Sequence, residues 1–367
     1  MIHQTFAGAK QLLALAVAVV VTTHAAATAP THMLATSAPA APTSAATPTA
    51  AISAPAPTSA APPTTTTSAP APTLATTPTA ASSPKIDLDA FEALKKSAHL
   101  SDGETLAYLT MGDPNGTPVV LIHGYTDNAR DWVPLVPYLS KHFYLIVVDL
   151  RGHGRSGKPD CCYTLPDFAY DIVLLLDTLG LRKADIVGHS LGSMIAQVFA
   201  ETWPERTDKV VLISSTGGPP PGAPPKKPQF DFAAQIRQLK EPLDPDSPFM
   251  VSWWDSPTPV DADFIRRQRR DSAAIPLRVW LAVLDQGLGD PADLQRTLPR
   301  LKAPTLLVWG SADPIMEPEV RATLRRALPR AQVKIFPGLG HNPFWEDPRA
   351  CAAVINAFLE PSPKLTP

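Results

Sequence analysis

The sequence is poor in cysteine and carries little net charge. Three cysteines occur in 367 residues, which excludes a small disulfide-stapled scaffold and leaves stability to an apolar core. Cys161 and Cys162 are adjacent and could pair with each other. We favour the simpler interpretation, two small residues near a loop. The net charge of −2 comes without a basic stripe, so no nucleic-acid partner is expected.

Charge is absent altogether from residues 11–84, which contain no Asp, Glu, Lys or Arg. Lys10 precedes an apolar run over 12–21, and the alanines at 25–29 offer Ala-x-Ala cleavage sites, so residues 1–29 are predicted to be an export signal. The run is too short to span a bilayer, and no stable membrane insertion is expected after cleavage. An uncleaved anchor is the alternative.

Residues 30–84 are almost entirely Ala, Pro, Thr and Ser. Such a composition cannot bury enough apolar surface to offset its ordering entropy, so this stretch is predicted to be a disordered linker. It is either a tether to a surface or a passive spacer. Together with the signal, it predicts a secreted, periplasmic or cell-surface protein.

Short apolar runs alternate with helical stretches from Glu104 onward. The runs are rich in Val, Ile and Leu without polar alternation, as is typical of parallel strands buried on both faces. Predicted strands lie at 104–111, 118–122, 143–148, 185–187, 209–213, 304–309 and 332–336, and the clearest helices at 165–179, 190–202 and 348–359. This pattern predicts an α/β core over 85–216 and 304–361, followed by a tail over 362–367.

Residues 217–303 interrupt the alternation and show no convincing strand. An insertion of this length is usually functional. Helical patterns near 230–239, 261–271 and 275–286 predict a helical cap over the carboxyl edge of the sheet.

The strongest local motif is Gly188-His-Ser-Leu-Gly192, between a predicted strand and a helix. This is the context in which G-x-S-x-G forms a nucleophile elbow with Ser190 at its tip. His341 follows the last predicted strand and is the best candidate base, and Asp313 follows the preceding strand and can orient it. The chain order Ser190, Asp313, His341 fits this kind of site.

A further element is needed to hold the oxyanion that forms when a serine attacks a carbonyl. Tyr125, in His123-Gly124-Tyr125, follows the strand at 118–122, and Leu191 follows the nucleophile. We expect the amides of Tyr125 and Leu191 to converge on one oxygen.

From about Glu104 to Glu360 the sequence resembles the α/β-hydrolase superfamily of esterases, epoxide hydrolases and haloalkane dehalogenases. The resemblance rests on His123-Gly124, the run from Asp149 to Ser156, the elbow, and the motifs that end in Asp313 and His341. It implies an eight-stranded sheet with a helical cap after strand 6, a Ser190–Asp313–His341 triad, and oxyanion donors at Tyr125 and Leu191. Epoxide hydrolases and dehalogenases of this superfamily use Asp as nucleophile, so Ser190 excludes both activities.

We therefore expect a serine esterase that cleaves a small to medium hydrophobic ester through an acyl-enzyme, without a cofactor. No metal is expected, because the chain shows no His-x-x-x-His or paired-Cys spacing. Alternatives with the same triad are a cofactor-free haloperoxidase or perhydrolase and a carbon–carbon bond hydrolase. A stalked ligand-binding protein is the non-enzymatic alternative. The predicted pocket residues are His123, Trp253, Trp254, Phe344 and Trp345.

Overall fold

The computed structural model describes residues 86–218, 231–288 and 292–360. The predicted export signal, the linker, the tail over 362–367, and the parts of the predicted cap at 219–230 and 289–291 lie outside the described residues. Within the described ranges, no helix is both long and apolar enough to cross a membrane.

Eight strands form one sheet in the order β1-β2-β4-β3-β5-β6-β7-β8. β2 pairs antiparallel with β1 and β4, and all other neighbours are parallel. The eight-stranded, mostly parallel sheet that the resemblance implies is therefore confirmed. The strands are β1 Lys96–His99, β2 Thr105–Met111, β3 Pro118–Ile122, β4 Tyr144–Val148, β5 Ala184–His189, β6 Thr207–Ile213, β7 Thr305–Gly310 and β8 Gln332–Phe336.

The helices lie on both sides of this sheet and in the segment between β6 and β7. They are α1 Leu88–Ala93, α2 Val136–Leu139, α3 Leu165–Thr178, α4 Leu191–Thr202, α5 Phe232–Ile236, α6 Pro248–Trp253, α7 Ala262–Ala273, α8 Leu277–Ala282, α9 Ala292–Thr297, α10 Pro318–Ala327, α11 Pro343–Glu346 and α12 Pro348–Leu359. Tighter or wider turns occur at Ala129–Trp132, Pro204–Arg206, Val283–Gly287 and Leu298–Arg300.

Burial explains why the central strands read as unbroken apolar runs. β5 and β7 are buried along their whole length, and the residues of β3 and β4 are buried after the first. The two edge strands differ, since β1 buries only Ala98 and β8 only Phe336. β1 escaped prediction for this reason: a four-residue edge strand with one buried side chain has almost no apolar signal.

The loop after β4 is held by hydrogen bonds and an ion pair to Asp149, at its start. The Asp149 carboxylate accepts hydrogen bonds from the amides of Ala129 and Arg155 and from the Lys95 ammonium, which is almost fully buried. Each hydrogen bond to a charged group typically stabilises by about 1.5–3 kcal/mol. This interaction links the start of the described chain to the carboxyl edge of the sheet.

The described residues between β6 and β7 form the helices α5 to α9 with turns and loops between them, and no strand. This segment touches the loop after β3, because the Tyr125 hydroxyl donates to the Trp280 carbonyl at 2.6 Å. α6 was not predicted; it is a six-residue helix that begins on Pro248 and is capped by Ser247. The wider assignment of 217–303 as a separate cap stays a prediction.

The adjacent cysteines form a disulfide, contrary to the interpretation favoured from the sequence. Cys162 adopts φ 73°, and its carbonyl accepts a hydrogen bond from Arg151. Sequence could not decide the matter, because pairing of neighbours depends on the backbone conformation of that one turn. Cys351 is a buried free thiol.

Candidate active site

Ser190 lies at the turn between β5 and α4, where the sequence predicts the nucleophile elbow. Its backbone has φ 50° and ψ −117°, a region that residues other than glycine rarely occupy. Its amide donates to the Ile213 carbonyl at 2.9 Å, so the end of β6 supports the turn. The residue is partly exposed, which leaves its hydroxyl accessible at the sheet edge.

The glycines on either side of Ser190 have a steric reason. A Cβ on Gly188 would lie 2.2 Å from the Gly192 carbonyl oxygen, and a Cβ on Gly192 would lie 2.1 Å from the Ile122 carbonyl oxygen. Any side chain at these two positions would therefore push α4 away from β5 and β3. Packing of α4 against β5 and β3 therefore requires glycine at both positions of the motif.

His341 and Asp313 meet at the same edge of the sheet. His341 Nδ1 lies 2.8 Å from Asp313 Oδ2, and Asp313 Oδ1 accepts from the amides of Ile315 and Met316. Burial raises the pKa of Asp313, but the charge and hydrogen bond of His341 and the two amides outweigh it and lower the pKa to about 2. Asp313 is thus ionised at neutral pH, and Nε2 is the His341 nitrogen left for proton exchange.

Two further side chains hold the main chain of His341: His189, for which the sequence favoured a supporting role, and Ser214, which was not singled out. Ser214 Oγ donates to the His341 carbonyl at 2.7 Å, and His189 Nε2 lies 3.1 Å from the same oxygen. Ser214 is fully buried with φ 47°. Its sequence signal is limited to the run of polar residues Ser214, Ser215 and Thr216 after β6. The contact itself depends on tertiary structure.

The amides of Tyr125 and Leu191 follow the ends of two neighbouring strands. β3 and β5 pair in parallel with Ile122 opposite Gly188, which brings these two strand ends side by side. In the described ranges neither amide donates to a backbone carbonyl. Leu191 is also the first residue of α4, where amides lack intrahelical acceptors and the helix dipole is positive. Both groups can therefore donate to a ligand oxygen.

Four of the five predicted pocket residues are buried. His123 uses Nδ1 on the Gly124 carbonyl and Nε2 as acceptor for the Leu150 amide. Burial, followed by the charge of His153, sets its pKa well below the usual range. Neutral His123 therefore has both ring nitrogens occupied, which fits support of the loop after β3.

The aromatic residues that follow His341 pack inward. Phe344 stacks on Trp132 with ring centroids 4.8 Å apart, and Trp345 donates its indole N–H to the Asp131 carbonyl. Trp254 stacks on Trp345 at 5.6 Å and is 4% exposed. These contacts account for the three side chains as packing.

Trp253 differs from its neighbour, because it is only partly buried. Its indole N–H donates to Thr126 Oγ1 at 3.0 Å, and its ring lies 6.1 Å from the Tyr125 ring. Phe249 and Trp280 continue the same cluster. We call these four side chains the aromatic wall: Tyr125, Phe249, Trp253 and Trp280. The backbone amide of Tyr125 is also a candidate oxyanion donor, so the wall lies beside the proposed oxyanion site.

The sequence profile of the alpha/beta hydrolase fold family matches residues 117–348. The chain belongs to this family. A 2-(acetamidomethylene)succinate hydrolase of Mesorhizobium japonicum is 29% identical over 255 residues, covering 67% of this chain and 89% of that protein. Lipase 3 of a Moraxella species is 24% identical over 282 residues, covering 72% and 84%.

Solved structures agree with this family assignment. A hydrolase from Pseudomonas aeruginosa superposes with a TM-score of 0.61 at 25% identity, over 73% of this chain and 98% of that one. These three similar proteins are hydrolases, and the chain is a member of a hydrolase enzyme family.

Proposed function

We propose that the protein hydrolyses carboxylic esters through an acyl-enzyme on Ser190. The observation that carries this proposal is the 2.8 Å contact between His341 and Asp313, which lie on loops at the same sheet edge as the strained Ser190 turn. His341 Nε2 takes the hydroxyl proton as Ser190 Oγ attacks the ester carbonyl. Asp313, ionised at neutral pH, stabilises the imidazolium that forms.

The remaining steps use His341 again, first as the acid that protonates the leaving alcohol and then as the base that activates water. The amides of Tyr125 and Leu191 donate to the oxyanion, and each such donor is typically worth about 3 kcal/mol in the transition state. His341 returns its proton to the leaving alcohol as the carbon–oxygen bond breaks. Water, activated by the same imidazole, then attacks the acyl group and releases the acid and Ser190.

The aromatic wall supports a small to medium, hydrophobic ester as substrate. Trp253 combines partial exposure with a hydrogen bond to Thr126, one residue from the Tyr125 amide. An apolar acyl or alcohol group placed against this ring would lose contact with water, at about 25 cal/mol for each Å² of apolar surface. Neither the wall nor the triad requires a cofactor for ester hydrolysis.

The direct test compares the wild type with Ser190→Ala on p-nitrophenyl esters of increasing chain length, and labels both proteins with a fluorophosphonate. Loss of an activated nucleophile is expected to lower kcat by about 10⁴-fold or more and to abolish labelling. Ser101→Ala is the control, because Ser101 is an exposed turn residue between β1 and β2 and should leave turnover unchanged.

Two outcomes contradict the proposal. Full esterase turnover by Ser190→Ala removes Ser190 as nucleophile. Labelling of Ser190 without turnover of any ester retains the triad and refutes ester cleavage. The carbon–carbon hydrolase and perhydrolase reactions then become the assays to run, because both use the same three residues. A protein that neither labels nor turns over supports the ligand-binding alternative.

We also propose that residues 1–29 direct export and that residues 30–84 tether the catalytic part to a surface. The support is compositional: an apolar run, small residues and then an uncharged Ala/Pro/Thr/Ser stretch. Mature protein recovered outside the cytoplasm should begin just after Ala27 or Ala29. An N-terminal sequence that still starts at Met1 contradicts cleavage.

A further inference from the structure

Two carboxylates and one imidazole meet in the interior behind the nucleophile elbow. Asp127 lies in the loop after β3, Asp131 in the turn Ala129–Trp132, and His189 is the last residue of β5. They are 5%, 0% and 2% exposed. One ligand atom from each lies within 4.8 Å of the other two. No step of the proposed ester hydrolysis uses this cluster.

The three groups do not hydrogen-bond to one another. His189 Nδ1 lies 3.6 Å from Asp131 Oδ2 and 3.9 Å from Asp127 Oδ2, beyond the usual limit of about 3.2 Å for N–H···O bonds. Neither Asp131 carboxylate oxygen nor His189 Nδ1 has a hydrogen-bond partner among the described residues. Buried polar atoms without partners are rare, because each typically costs about 1–3 kcal/mol.

The tautomer of His189 determines whether Nδ1 can donate a hydrogen bond to the two carboxyl groups. Its Nε2 lies 3.1 Å from the His341 carbonyl oxygen, which can only accept, so Nε2 carries the proton. In the neutral ring, Nδ1 then presents a lone pair to two carboxylates. The Nδ1 lone pair and the unpartnered oxygens of Asp131 therefore face the same buried space without a hydrogen bond between them.

We propose that Asp127, Asp131 and His189 bind one divalent first-row transition-metal ion, such as Zn²⁺. The three ligand atoms lie within 4.8 Å of one another, a spacing that can surround one ion at the 2.0–2.2 Å typical of zinc with imidazole and carboxylate ligands. A mixed nitrogen and oxygen donor set favours such an ion over Ca²⁺ or Mg²⁺, which take oxygen ligands. Two carboxylates and a dication are also neutral together, which suits a dry interior.

The surroundings resemble those of metal-bound histidines. Such residues almost always donate their second N–H to a carbonyl, a carboxylate or water, and His189 does so toward the His341 carbonyl. Gly124 leaves the space open, because a Cβ there would lie 2.5 Å from Asp127 Oδ2 and 3.0 Å from His189 Nδ1.

The bound ion acts structurally and connects two separate segments. Asp127 lies two residues after Tyr125, and His189 lies two residues before Leu191. The ion therefore fixes the loop after β3 to the elbow, and through His189 it also supports the main chain of His341. The expectation of no metal rested on local ligand spacing, which two distant segments do not show. Binding is measured without reference to esterase activity, so this inference does not depend on the proposed function.

The experiment refolds the full chain from denaturant with and without stoichiometric ZnCl₂, because a site this buried fills as the chain folds. After exhaustive dialysis, elemental analysis should find about one zinc per chain in the refolded protein, and the Tm should rise with zinc. Asp131→Asn keeps the side-chain shape and removes a charged ligand. Outer ligands alone change affinity by about 10–100-fold, so this variant should bind at least about 100-fold more weakly.

The matched control is Asp185→Asn. Asp185 is also a buried carboxyl, 1% exposed, on the same strand β5, and its replacement should leave zinc content and affinity unchanged. Failure of the wild type to retain zinc overturns the proposal. Equal zinc retention by the wild type and Asp131→Asn also overturns it, because the metal then lies elsewhere.

A measurement on the wild type keeps the test decisive if Asp131→Asn does not fold. X-ray absorption of the zinc-loaded wild type should show a single imidazole among low-Z ligands and no sulfur. Two or more imidazoles, or any sulfur ligand, would place the ion outside this cluster and refute the assignment.

Discussion

The sheet edge and the helical segment between β6 and β7 position their side chains by different means. Ser190, Asp313 and His341 follow strand ends, and backbone hydrogen bonds of the parallel sheet set where those ends lie. Trp253 and Trp254 lie on and just after the short helix α6, and only side-chain packing decides which way each ring faces. The comparison suggests that the edge sets the reaction and the helical segment sets the substrate.

The largest expected effect tests the sheet edge. Asp313→Asn should lower kcat by about 10³–10⁴-fold, because the amide cannot stabilise the imidazolium and favours the wrong His341 tautomer. Steady-state kinetics on the best ester measure the loss. Asp160→Asn is the control, since the Asp160 side chain is 98% exposed. An Asp313→Asn enzyme that keeps more than about a tenth of wild-type kcat would remove Asp313 from the triad.

The two adjacent tryptophans test the helical segment. Trp254→Ala should lower the free energy of unfolding by about 3 kcal/mol, as for other buried aromatics, and leave chain-length preference unchanged. Trp253→Ala should destabilise less and shift the kcat/KM ratio between long and short acyl chains about tenfold, the range available to a hydrophobic pocket. Denaturant unfolding and the ester panel measure both. An unchanged ratio in Trp253→Ala would separate the helical segment from specificity.

The stability of the folded protein in acid tests the environment of Asp313 at the sheet edge without an activity assay. The pKa of Asp313 falls from 3.8 to about 2 on folding, so the folded state holds this proton less readily than the unfolded chain. The stabilisation is fully present above about pH 4 and is lost as the pH falls toward 2, with a magnitude of about 2 kcal/mol. Urea unfolding at several pH values should show a shallower acid loss for Asp313→Asn. Identical acid limbs for the variant and wild type would contradict the assigned pKa.

The smallest expected effect concerns the support of His341. Ser214→Ala removes the 2.7 Å hydrogen bond to the His341 carbonyl, and a net loss of about 1 kcal/mol corresponds to a kcat decrease of about fivefold. KM should change little, because Ser214 is fully buried. A raised KM with unchanged kcat would mean that Ser214 acts on substrate binding.

Sequence reasoning reached the parts of the fold that depend on local pattern. β3 was predicted with its observed bounds because a buried parallel strand is a short apolar run. β8 was also predicted with its observed bounds, although only Phe336 is buried, because the exposed Val333 and Ile335 are apolar as well. The edge strand β1 and the helix α6 were missed, since one is nearly all exposed and the other is only six residues long. The disulfide between Cys161 and Cys162 depends on a single turn conformation that composition does not report.

The site divides in the same way. The segments that carry Ser190, Asp313 and His341 could be picked out because each follows a strand, and strand ends are visible in sequence. The contacts of Ser214 and His189 with the His341 carbonyl, and the cluster of Asp127, Asp131 and His189, could not be predicted, because their partners are distant in the chain and meet only after folding. The tryptophan pair lay between these cases: the residues were identified, but their orientation was not.

The contact between His189 and the His341 carbonyl also has a consequence in time. The two residues are 152 positions apart, so the ribosome completes the elbow, β6 and the whole helical segment before the histidine loop exists. Domains generally fold as units. A growing chain therefore contains Ser190 before it contains His341. The two residues can meet only after β8 has joined the edge of the sheet. A chain of this topology therefore acquires all three residues of the proposed triad only when its last strand is in place.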